Sequence, residues 1–119
     1  MLDYEQILHM EPTALANWLH EEFHVVLPQR INSHEAMEQA SELLLRFTAQ
    51  YAYLAELLSY AKIEVRKAKR ELPKEEWENM VDRKEAIERR LDIVKQEYTA
   101  VSRAITVKID SDKEMFMKS

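Results

Sequence analysis

A chain of 119 residues with no Gly and no Cys is long enough for one domain with a modest core, and it lacks the parts that several function classes need. Without Gly there is no Gly-rich cradle for a dinucleotide or a phosphate and little means of making tight β turns; without Cys there is no disulfide, thiolate nucleophile or thiolate-held zinc. The net charge of −5 is carried by residues 1–36, which hold six acids and the single base Arg30, while the remainder holds sixteen of each sign, so the basic footprint of a general nucleic-acid binder is missing.

The N-terminus, MLDYEQILHM, has no basic stretch leading into an apolar run and does not read as a signal peptide. No run reaches the ~18 apolar residues of a membrane span. A cytoplasmic protein without a membrane partner is expected. The first predicted helix follows Asp3 as N-cap and covers Tyr4–Met10. The second opens at Pro12, a residue suited to a first helical turn, and runs to His24, with Leu15, Trp18, Leu19 and Phe23 on its apolar face. Pro28 and the β-branched Val25-Val26 make HVVLPQRIN an extended connector.

Ser33 is the expected N-cap of a long helix that reaches Glu71 and is ended by Leu72-Pro73. Pro73 opens the last helix, with Glu75 and Glu76 where the helix dipole favours acids. That helix is expected to reach Ile109, leaving residues 111–119 as a frayed tail. Each long helix would span about 55 Å at 1.5 Å per residue.

Apolar residues recur at alternating steps of three and four from Met37 to Leu72 and again from Trp77 to Lys108, and folding the chain at Leu72-Pro73 pairs positions whose numbers sum to 145. The implied layers place Ala68 on Trp77, Val65 on Met80, Leu58 on Ile87 and Leu54 on Leu91. Further from the turn come Tyr51 on Val94, Phe47 on Tyr98, Leu44 on Val101 and Ala40 on Ile105. Small residues opposite large ones suit interdigitation. Ala61 on Lys84 and Met37 on Lys108 are the weak layers, where Lys lays its stem along the seam. Glu64–Arg83 and Lys62–Glu88 are expected to pin the register.

The first long helix carries a second apolar stripe, Leu45, Ala49, Ala52, Tyr53, Tyr60 and Ile63, flanked by Leu43 and Leu57. The last helix instead shows a charged outer face of Glu78, Asp82, Glu85, Arg89, Asp92, Gln96 and Arg103. The first long helix is therefore central. The N-terminal Leu15/Trp18/Leu19/Phe23 face covers part of its back, and a second copy of the chain most simply meets the rest. Leu45, Ala49, Ala52, Tyr53, Tyr60 and Ile63 are the expected interface of a homo-oligomer, in the first instance a dimer.

His20-Glu21-Glu22-Phe23-His24 reads H-E-x-x-H on a predicted helix, so His20 and His24 share a face. The run resembles the zinc metallopeptidase motif, which implies metal ligation by the two His and general-base work by Glu21. The charged Glu22 departs from the motif, a third ligand has only the loose candidates His34, Glu35 and Glu38, and no edge strand beyond HVVLP is available. A zinc hydrolase stays as an alternative; the simpler reading makes His20 and His24 polar-face residues and assigns no metal, cofactor or catalytic residue. The second candidate is basic: Lys62, Arg66, Lys67, Lys69, Arg70 and Lys74 against Glu64 and Glu71 give net +4 over thirteen residues. Arg66, Lys67, Lys69 and Arg70 are the candidate nucleic-acid contacts. Glu75, Glu76, Glu78 and Asp82 lie at the same height, so neutralisation inside the hairpin is favoured over nucleic-acid binding. Met115-Phe116-Met117 is an apolar triplet for which docking on the chain itself, docking on a partner and no docking at all stay open.

The stretches LLLRFTAQYAYLAELLSYAKIEVRKAKRE and DRKEAIERRLDIVKQEYTAVSRAITVKI resemble small helical-hairpin proteins encoded by bacteriophages and prophages. The resemblance is one of texture over residues 33–110, implies an intracellular phage setting near DNA replication or recombination, and transfers no site residue. The expected fold is all-α: a long antiparallel helical hairpin with one or two short N-terminal helices packed on it, in one domain. The expected function is that of a non-enzymatic interaction and assembly protein, bound to itself and to another protein.

Overall fold

The computed structural model describes residues 1–28 and 30–118; Gln29 of the connector and Ser119 of the tail lie outside the described residues. Four helices follow one another: α1 (Tyr4–Leu8), α2 (Pro12–Phe23), α3 (His34–Glu71) and α4 (Lys74–Lys118).

Local chemistry fixes most of their ends. The Asp3 carboxylate accepts from the Gln6 backbone N–H and the Gln6 amide oxygen accepts from the Asp3 N–H, both at 2.9 Å, a reciprocal capping box. α1 stops at Leu8, two residues before the Met10 end expected. Pro12 disfavours helical backbone in the residue before it, and Glu11 is extended at φ −61°, ψ 142°. The Ser33 hydroxyl accepts from the Ala36 N–H at 3.0 Å and caps α3. Leu72, ahead of Pro73, is extended and closes α3, and the Pro73 carbonyl accepts from the Trp77 N–H at 3.1 Å to start α4. α4 continues to Lys118, past the Ile109 end expected. No Gly or Pro interrupts that stretch, and Lys108 reaches Asp112 one turn on at 3.0 Å.

α3 and α4 pack antiparallel along the seam. Ala40, Phe47, Leu54, Leu58, Ala61 and Ala68 of α3 are buried, as are Ile87, Leu91, Val94 and Val101 of α4. Lys84 behaves as its layer requires: the stem is mostly buried and its Nζ lies 3.5 Å from Glu88 Oε1. The register-pinning pairs differ from expectation. Glu88 meets Lys84 of its own helix, and Arg83 donates from Nε to the Met10 carbonyl at 2.7 Å. The molecule is a rod of 70 × 21 × 17 Å with a radius of gyration of 19.0 Å, against about 13.5 Å for a compact domain of this length.

The N-terminal segment fills the groove on one side of the seam. α2 packs chiefly against α4, not against the back of α3, and so does less to cover that back than expected. Ile7, Leu15, Leu19 and Phe23 are fully buried there, and beneath them Ala86 and Arg90 of α4 are buried too. α4 thus has two packed faces, while Glu78, Asp82, Glu85, Arg89, Asp92, Gln96 and Arg103 remain exposed. Among the described residues, no helix is long and apolar enough to cross a membrane.

Candidate interaction surface on the central helix

Two tyrosines of α3 mark where the N-terminal segment stops. The Tyr53 hydroxyl donates to the Leu2 carbonyl, and its ring stacks on Phe23 at 5.8 Å between centroids. Two turns further along α3, Tyr60 stacks on Tyr4 at 5.6 Å and donates to Glu56 Oε1 at 3.4 Å. Burial, with Glu64 adding to it and Arg83 opposing it, pushes the Tyr4 phenol up to about 12. Burial also raises the Tyr53 phenol, helped by Glu22 and Asp3.

This divides the stripe assigned to self-association. Tyr53 is used within the chain and Leu57, on its flank, is buried. Leu45 is 74% exposed, Tyr60 45% and Ile63 47%, and Ala49 and Ala52 between them are exposed as well. Leu45, Ala49, Ala52 and Ile63 therefore leave apolar and small side chains exposed on the outer face of α3, while Tyr60 is partly covered by Tyr4.

The basic candidates stand beside it. Arg66, Lys67, Lys69 and Arg70 are all exposed and, with Glu71, line one shallow depression near the hairpin turn. The cross-hairpin neutralisation expected of α4 takes a different form: Lys74 meets Glu78 of its own helix at 3.8 Å. Helical spacing puts Arg66, Lys67 and Arg70 on the same outward side of α3 as Ile63, turned from α4.

The histidines are dispersed. His20 and His24 share a face with ring centroids 5.3 Å apart, both exposed at the end of α2, whereas His34 pairs with Glu38 on α3 at 3.1 Å. Among the described residues, no group of three or more His, Asp or Glu side chains is placed to hold a metal ion.

Sequence reasoning missed a polar set under the N-terminal segment. Arg90 and Glu97, two turns apart on α4, approach to 3.9 Å with little exposure, and Gln50 of α3 is buried as well. Gln50 Oε1, Arg90 Nε and Glu97 Oε2 have no hydrogen-bond partner among the described residues. Burial raises the Glu97 carboxyl, with Arg90 and His24 opposing, and burial lowers the Arg90 guanidinium. The i, i+7 spacing of Arg90 and Glu97, on the side of α4 next to its seam, was the available signal. A groove on the opposite side of the hairpin, lined by Phe47, Thr48, Tyr51, Val94, Lys95, Tyr98 and Thr99, stays open, with Lys95 Nζ 5.6 Å from the Tyr51 ring. Comparison of the chain with family models, curated proteins and solved structures finds no match.

Proposed function

We propose that this chain is a non-enzymatic helical interaction protein that self-associates through the outer face of α3. The observation that carries the reading is the exposure of Leu45, Tyr60 and Ile63 with Ala49 and Ala52 between them. Exposed apolar side chains grouped on one helix face mark interaction sites, and the small Ala49 and Ala52 let a second helix come close; Glu56 and Ser59 interrupt the line before Ile63. A rod with a covered groove on one side and an apolar line along its central helix suits assembly with other helices. Through the resemblance of residues 33–110, the setting proposed for it is an accessory role beside bacteriophage DNA metabolism.

The double variant Leu45→Glu/Ile63→Glu tests the surface. Sedimentation velocity is expected to show the wild type larger than the variant, with helix content unchanged because both positions are exposed. A charge reversal on the solvated face of α4, Glu85→Lys, is the control and leaves association intact. Equal association of the wild type and the double variant would refute this use of the surface.

A further inference from the structure

Read along its outermost line, α3 is nearly a palindrome. The positions Glu38, Ser41, Leu45, Ala49, Ala52, Glu56, Ser59, Ile63, Lys67 and Arg70 are all exposed. Their spacing of three and four reads the same from either end, so that 38 and 70, 41 and 67, 45 and 63, 49 and 59, and 52 and 56 each sum to 108. Size follows the symmetry in part: Leu45 and Ile63 mirror each other and Ala49 mirrors Ser59, whereas Ala52 mirrors the larger, charged Glu56. Charge is opposite at the two ends: Glu35, Glu38 and Glu42 at the beginning, Arg66, Lys67 and Arg70 at the end.

We infer that the partner of this face is a second α3 lying antiparallel, with the two-fold axis at the height of Leu54, between Ala52 and Glu56 on the outer face. This rests on the self-association proposed above and adds its orientation and register. In that register Leu45 and Ile63 of one copy form layers with Ile63 and Leu45 of the other, and Ala52 faces Glu56. Glu38 comes beside Arg70 of the second copy, and Glu42 beside Lys67. Each ion pair occurs twice by symmetry. A parallel pairing would set Glu38 on Glu38 and Arg70 on Arg70, and like charges across an interface are disfavoured.

The hydroxyls on this line do not oppose burial. Ser41 donates to the Met37 carbonyl and Ser59 to the Ala55 carbonyl, each at 3.0 Å, so covering them strands no donor. The N-terminal segment lies to one side of the line at Tyr53 and Tyr60 and borders it at Glu56. The contact runs along about 48 Å of helix at 1.5 Å per residue. It also occupies the exposed bases at the hairpin turn with the partner's acids.

The natural absence of Cys makes disulfide trapping in the full-length chain direct. A mixture of the single variants Leu45→Cys and Ile63→Cys is expected to form the mixed disulfide, while Leu45→Cys alone forms none, because its two copies stand about 27 Å apart along the axis. Charge gives the second readout. Glu38→Lys and Arg70→Glu should each weaken dimerisation about tenfold, and the double variant carrying both should regain most of it. A dimer that traps through Leu45→Cys alone, or a charge swap that fails to rescue, overturns the antiparallel register while leaving self-association in place. A chain that stays monomeric overturns both. Dimerisation that stays unchanged while a short duplex DNA occupies the bases would overturn the assigned ion pairs.

Discussion

Arg83 of α4 donates from Nε to the carbonyl of Met10, 73 positions earlier, at 2.7 Å. It is the tie between the hairpin and the short link from α1 to α2. A charge-assisted bond to a half-buried carbonyl contributes about 1–2 kcal/mol. Arg83→Met keeps the stem and removes the donor. Its unfolding free energy from urea curves should fall by that amount, and amide exchange should quicken in α1 before it does in the α3–α4 seam.

Phe23 is fully buried, stacked on Tyr53 and met edge-on by Trp18 at 5.9 Å. Phe23→Ala should cost about 3–5 kcal/mol, measured by urea denaturation. The exposed Leu45→Glu should fall within about 0.5 kcal/mol of the wild type. Together the two separate residues that hold the fold from residues that hold a partner.

Tyr4 ionises at about 12 where an ordinary phenol does so at 10.0. The folded state therefore keeps this proton more firmly than the unfolded chain. The stabilisation is complete below pH 10 and is lost as pH rises through about 12. Ultraviolet titration should show a late tyrosine step that Tyr4→Phe removes, and the N-terminal segment of the wild type should loosen over that same interval.

Glu97 carries a carboxyl raised from 4.5 by burial. Its folded form binds the proton more tightly than the unfolded chain, so this residue's contribution is fullest below 4.5 and declines as pH rises through the folded value. Glu97→Gln should flatten that decline in a series of urea curves from pH 4 upward. Arg90→Met should cost about 3 kcal/mol at neutral pH, because it leaves the Glu97 carboxylate without its counter-charge.

The hairpin was legible because two long helices need a continuous seam, and a seam writes itself as periodicity: Leu54, Leu58, Ile87 and Leu91 are buried where the mirrored pattern puts them. The exposed Leu45 and Ile63 were legible for the same reason, as apolar positions left over once the seam was filled. The placement of the N-terminal segment was not. Leu15, Leu19 and Phe23 declare an amphipathic helix but do not say which groove receives it. The receiving side of α4 offers Arg83 and Arg90, which look in sequence like ordinary surface charges. α4 runs past its expected end because no Gly or Pro stops it and Asp112 serves Lys108 one turn back. The charge symmetry of α3 became visible only when the structure left Arg66, Lys67 and Arg70 facing away from α4.

The most direct measurement is the molar mass of the wild-type chain by static light scattering over a micromolar concentration series. The mass should rise to twice the 14.2 kDa of one chain, reached at lower concentration in low salt than in high salt because ion pairs flank the contact. A constant mass of one chain at every concentration would contradict it.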